Sequence, residues 1–208
     1  MTNLFIYFIM KPKIDIDDIY RAALRVFAEY GFKKATLDDI AARLDMTKGN
    51  LYRYARNKKD LYEQTVRHAL MRWQSQVRDA VSAQTDAAER FLAMSRKAVE
   101  VLAGEDDLRR LLVRDPDIFP MFPTADPYGD INGNSVDMIR GILAQGAAEG
   151  RFRPVDLETV PEVLFSIYKM FIIRMYLQSG DPSVQAMFAQ TVALMTQGLF
   201  MDDDGAGA

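Results

Sequence analysis

Between Arg43 and Lys59 the chain carries six cations, Arg43, Lys48, Arg53, Arg56, Lys58 and Lys59, against one acid, Asp45. Tyr52 and Tyr54 are interleaved with them, and Thr47, Gly49 and Asn50 surround Lys48. These are groups for holding a polyanion rather than for making or breaking bonds. Cations displace the counterions condensed on phosphates, and hydroxyls and amides fix register along a phosphate backbone. Asn can engage two polar atoms of adenine at once, and Lys can reach the acceptors of guanine.

Bond-making chemistry has little to work with. The chain has no cysteine and a single histidine, His68, which excludes disulfides, thiolate metal sites, Cys nucleophiles and His clusters. A catalytic His68 would need a nucleophile and an orienting acid, and no spacing supplies them. The acids Glu105, Asp106 and Asp107 read as a helix start, and those at 202–204 as a solvated tail. The stretch from Gly129 to Gly133 lacks the Lys-Ser/Thr of a phosphate loop and reads as a turn. No catalytic residue, metal ligand or cofactor is expected.

The elements that would position the basic segment are helical. Ile16, Ile19, Tyr20, Ala23, Leu24, Phe27 and Tyr30 recur on one helical face, and Gly31 follows as a stop. Thr36 and Asp39 mark a second helix start. Leu37, Ile40, Ala41 and Leu44 form its apolar stripe, and Asp45 stands at a turn, where it tolerates a left-handed backbone. Thr47 starts a third helix, through about Tyr54, and the segment 57–60 a long fourth one. Tyr62, Val66, Ala69, Trp73 and Val77 share a face of that fourth helix, with Trp73 expected between head and body. Two short helices joined by a few residues are a helix-turn-helix, whose second helix enters the major groove.

Beyond residue 80, helices are expected at about 86–102, 106–113, 134–149, 156–177 and 181–200. A broken, proline-containing segment separates the second and third of these, from 115 to 133. The 208 residues, 49% hydrophobic and 26% charged, suit a globular all-α protein. Net charge is −3, with 12 cations against 9 acids through residue 65 and 14 against 20 beyond. A cationic head thus precedes an acidic body. The expected organisation is an extension at 1–13, with Met10 a candidate start; a helix-turn-helix domain at 14–60; a body at 61–201; and a tail at 202–208. The apolar run from Leu4 to Met10 is too short for a membrane span, and a cytoplasmic protein is expected.

The residues from Ile19 to Phe27, then Tyr30-Gly31-Phe32, Ala35-Thr36, Ile40-Ala41, Leu44, Thr47 to Tyr52 and Lys58 to Leu61 resemble the DNA-binding domain of the tetracycline-repressor (TetR) family. That resemblance implies an N-terminal three-helix head on a helical body that dimerises and binds a small molecule. By position, it implies that Lys48, Gly49, Asn50, Tyr52 and Tyr54 reach bases or phosphates, beside the cation Arg53. It further implies that Thr36, Thr47 and Lys58 anchor phosphates. Two positions depart from the family pattern. Asp45 replaces the usual turn glycine, and Ala55 replaces a core phenylalanine, a loss of a few kcal/mol unless the gap is filled.

In the body, Phe91, Met94, Met121, Phe122, Tyr128 and Tyr168 are expected to line an effector pocket, with Arg174 an unusual charge in an apolar run. Phe165 and Ile172, with Met187, Phe188, Thr191 and Met195 of the last helix, are expected at a four-helix homodimer interface. The expected function is a ligand-responsive regulator, a repressor that binds a palindromic operator on double-stranded DNA and is released by an apolar or amphipathic effector. An activator would need the same head. The rival readings are a helical interaction module without DNA and an all-helical enzyme built on His68.

Overall fold

The computed structural model describes residues 15–122, 126–178 and 181–199, and these are helical with connecting turns. The extension at 1–13 and the tail at 202–208 lie outside them. Helix α1 (Ile16–Lys34) begins at Asp15, whose carboxylate accepts the Asp17 N–H. Gly31, at φ 76°, breaks its path one turn before the end. This conformation is cheap only for glycine. Helix α2 (Leu37–Arg43) carries a complete capping box: Thr36 Oγ1 accepts the Asp39 N–H at 3.1 Å and Asp39 accepts the Thr36 N–H at 3.0 Å. Asp serves where Glu is more usual.

Asp45 takes φ 50° and lets the chain double back, with the Met46 N–H donating to Ala41 O. Helix α3 is shorter than its apolar pattern suggested, Lys48–Leu51, and continues as turns through Tyr54. Helix α4 (Lys58–Ser82) starts at the Asn57 cap. Ile19, Phe27, Ile40, Leu51 and Leu61 bury completely where these four helices meet. Phe27, Phe32 and Tyr62 form an aromatic triangle beside them, with two centroid separations of 4.9 Å. Ala55 is buried in the same core.

The body is α5 (Ala87–Gly104), α6 (Asp106–Arg114), a 3-10 turn at Pro116–Ile118, α7 (Gly129–Ala148), α8 (Val160–Leu177) and α9 (Pro182–Leu199). Three expectations are corrected. Gly129 to Gly133 is the first turn of α7, not a free turn, because Tyr128 O accepts the N–H groups of Ile131 and Asn132. Helix α8 starts at Val160 because Asp156 closes a separate turn through the Glu158 N–H, and Pro161 suits only a helix start. Trp73 belongs to the body's interior: its Nε1–H donates to Ala98 O at 2.9 Å and its ring lies 6.2 Å from Phe119.

Helix α4 spans both regions. Its first half packs on α1 in the head and its second half on α5 and α7. Polar ties fasten the junction. Tyr62 donates to Asp115, Arg67 donates to Asp130 and lies over the Tyr128 ring, and His68 bonds Asp17 at 2.8 Å. His68 is thus an interhelical strut. Among the described residues, no helix is long and apolar enough to cross a membrane, and no cluster of three metal-ligating side chains occurs.

Candidate nucleic-acid interface and ligand cavity

Helix α3 is divided by its own geometry. Leu51 faces inward with 1% exposure, while Thr47, Lys48, Gly49, Asn50, Tyr52 and Arg53 are exposed. The turn at Asp45 and the buried Ala41 hold α3 against α2, so the whole polar face stands clear of the head's core. Thr47 caps α3 by position, yet its hydroxyl makes no capping bond. A Cβ on Gly49 would meet only Thr47 Oγ1, at 3.8 Å, so nothing inside the chain requires glycine there.

Lys48 Nζ bonds Asp38 Oδ2 at 2.8 Å, and this bond holds the ammonium above its ordinary pKa. Both partners are exposed, so the pair is weak and can be exchanged for another acceptor. Arg43 is paired with Glu29 in the same way. Arg56 and Lys59 lie outward in i,i+4 pairs with Asp60 and Glu63, the pattern of a solvated helix start.

Three expected contacts are occupied otherwise. Thr36 spends its hydroxyl on Asp39, both as donor and as acceptor. Tyr54 is half-buried and packs on the head's core. Lys58 is turned inward: Nζ donates to Phe32 O at 2.8 Å, Ala35 O at 3.0 Å and Lys33 O at 3.3 Å, and sits 4.8 Å from the Phe32 ring centroid. It binds the carbonyls around the break in α1. A cation at those orphan carbonyls is what the end of a helix favours.

The body encloses about 640 Å³ of free space, its mouth included. Helix α4 gives this cavity Leu70, Trp73 and Val77; Met94, Phe119 and Tyr168 are among the residues that complete it. Polar relief comes from Gln74, Asn132 and Ser135, with the Gln74 amide donating to Ile131 O and Ser135 Oγ. A smaller cavity of about 320 Å³ shares Met94, Ile139 and Tyr168 with it and reaches Phe188 and Met195 of α9.

Of the expected ligand residues, Met94 and Tyr168 line the main cavity and Phe91 the smaller one. Met121 and Arg174 line neither. Tyr128 is buried beneath Arg67, with its phenol pushed up to about 12 by burial. Phe122 is 87% exposed, so it lies outside the cavity. Phe165 and Ile172, expected at a dimer surface, are buried in their own chain, and Phe165 lines the cavity. Phe188, Thr191 and Met195 are half-buried; Phe188 packs edge-on against Phe171, and the Thr191 hydroxyl donates to Met187 O. Met187 alone of the six is largely open. The exposed apolar residues of this region are instead Val163, Met170 and Leu177 on α8, seven apart, and Met187 and Leu194 on α9.

Comparison with known proteins follows these two regions. Residues 19–65 match the family model described as bacterial regulatory proteins, tetR family. The transcriptional repressor KstR2 of Mycolicibacterium smegmatis is 24% identical over 198 residues, covering 91% of this chain and 92% of its own. The biofilm operon negative regulator IcaR of Staphylococcus aureus is 41% identical, but over only 51 residues. Two solved structures share the fold. The fatty acid degradation regulator FadR of Bacillus halodurans has a TM-score of 0.71 at 18% identity, covering 89% of this chain and all of that one. FadR of Bacillus subtilis, solved with stearoyl-CoA, has a TM-score of 0.71 at 17% identity, covering 88% and 99%.

Proposed function

From the premise that residues 19–65 are a DNA-binding head of the tetR family, on a body with the fold of its solved members, we propose that this protein is a ligand-responsive transcriptional repressor. It acts as a homodimer on a near-palindromic operator. The observation that carries this reading is one helix with two occupations. Leu61, Tyr62 and Val66 of α4 are buried in the head, and Leu70, Trp73 and Val77 of the same helix wall the cavity.

The head reads DNA through the exposed face of α3. Asn50 and Lys48 reach base edges, Thr47, Tyr52 and Arg53 meet phosphates, and Gly49 allows close approach. Thr36 supports that face through the α2 capping box, and Tyr54 and Lys58 support it by packing and bonding within the head. The heptad-spaced residues of α8 and α9 pair two chains, and the two α3 helices enter successive major grooves, roughly 34–36 Å apart. A small apolar or amphipathic effector fills the cavity and shifts α4, which moves the head against its twin. Release is as strong as the difference in effector affinity between the two head spacings. KstR2, a repressor, and FadR, with a bound acyl thioester, support both halves of the reading.

The test is selection of bound fragments from a random duplex pool, then titration of the selected complex with apolar molecules. A palindromic consensus, released by one of them, is the expected result. Absence of any enriched sequence overturns the regulator reading.

A further inference from the structure

Helix α8 is apolar along most of its length, yet Lys169 lies in its middle and is only 6% exposed. Its ammonium has no hydrogen bond or ion pair among the described residues. Its close neighbours are two rings: Phe119, with the centroid 4.8 Å from Nζ, and Phe165, at 5.9 Å. Both rings line the main cavity. Lys169 does not itself line the cavity; its cation lies against two of the side chains that do.

Aromatic faces replace only part of the hydration an ammonium loses. Burial accordingly pushes Lys169 below its ordinary pKa. The acid whose field opposes this is Asp126, but its carboxylate is taken by the Tyr128 N–H and the Asn132 amide. A cation kept in this position, at a cost to the free protein, is matched by an anion that arrives with a ligand. Most of the cavity asks for something different: Leu70, Val77, Met138 and Ile139 offer apolar contact, with polar groups confined to Gln74, Asn132 and Ser135.

We propose that the effector is an amphipath, an apolar body ending in one anionic group, with the body in the cavity and the anion on Lys169. This rests on the effector role proposed above for the cavity and adds the charge of the molecule that fills it. Carboxylate and phosphate share the chemistry, and an ammonium accepts either. Selectivity over the uncharged analogue comes from relief of the unpaired buried cation, which no neutral ligand provides.

Trp73, the chain's one tryptophan, lines the cavity and reports its occupancy through emission. The full-length protein is titrated with decanoate, decyl phosphate and decanol, which share a tail and differ in head. Binding of at least one anion ten-fold or more tighter than decanol is expected, and the tighter anion identifies the head group. In Lys169→Met that preference disappears while decanol affinity is kept, and Lys169→Arg restores it. Equal affinities in the wild type, or a preference that survives Lys169→Met, overturn the anionic head and leave the cavity as the effector site. If no probe perturbs Trp73, the cavity reading fails as well. The wild-type comparison stands even if Lys169→Met does not fold.

Discussion

Lys58 separates two accounts of the head. The resemblance gives its ammonium to a DNA phosphate, whereas the structure gives it to three carbonyls at the break in α1. Lys58→Met keeps the stem and removes the charge. Two of the three bonds, at 2.8 and 3.0 Å, have full hydrogen-bond length, and the third is marginal. Bonds to charged groups contribute about 1.5–3 kcal/mol each, and the cation over Phe32 adds about 0.5–1 kcal/mol. Half exposure lets water replace part of this, so a net loss of about 2 kcal/mol is expected. For a chain of this size that lowers Tm by about 4–8 °C. The assay is a thermal melt beside fluorescence anisotropy on the operator at several salt concentrations. A lost phosphate contact flattens the slope of log K against log salt by about 0.9 per head, and a lost internal clamp leaves it unchanged. A flattened slope with an unaltered melting temperature would refute the internal role.

Asn50→Ala should cost about 1–3 kcal/mol on the best operator and relax preference at one base pair, read by repeating the pool selection. Gly49→Ala should leave the melting temperature unchanged or raised, because its Cβ meets ordinary contact only, while operator affinity falls; intact affinity would show that no close approach occurs there. Leu177→Glu places a charge among the exposed apolar residues of α8 and should give monomers by light scattering, with loss of operator binding; a persistent dimer would place the interface elsewhere. Acid should weaken the fold through its capping and paired carboxylates. Hydrogen bonds from the Thr36 hydroxyl, the Arg56 N–H, the Glu89 N–H and the Arg67 side chain hold Asp39, Asp60, Asp86 and Asp130 below the ordinary value of 3.8. Their depressed folded pKa values make this stabilisation complete above 3.8 and remove it as pH falls further. A urea midpoint that holds constant down through that range would contradict it.

The head was legible because its signals are local. Thr36 and Asp39 are three residues apart, Asp45 occupies a turn of two residues, and Leu51 is the one large apolar residue of α3. Each rule acts within one helical turn, so no knowledge of the rest of the chain is needed. Lys58 was not legible in this way. Its partners lie 23 to 26 residues upstream, and only the packing of α4 on α1 brings the carbonyls of Phe32 and Ala35 beneath its ammonium.

The body was read at the level of helices but not of faces, and the reason is physical. Helix α8 is apolar almost all round, so periodicity shows that it is covered on several sides without saying by what. Ile172 and Met170 are equally apolar in sequence. One is completely buried in its own chain and the other is among the exposed residues, a difference of two positions and about 200° around the helix. The charges show the same degeneracy. Arg174 stood out in an apolar run, yet neither it nor Lys169, five residues earlier and equally out of place, lines a cavity directly; Lys169 lies against Phe119 and Phe165, which line the main one. A charge on an apolar helix signals that something must compensate it. Whether such a charge is left for an external partner depends on whether the fold supplies an internal one, and for Lys169 the described residues supply the faces of Phe119 and Phe165 and the field of Asp126, with no direct bond.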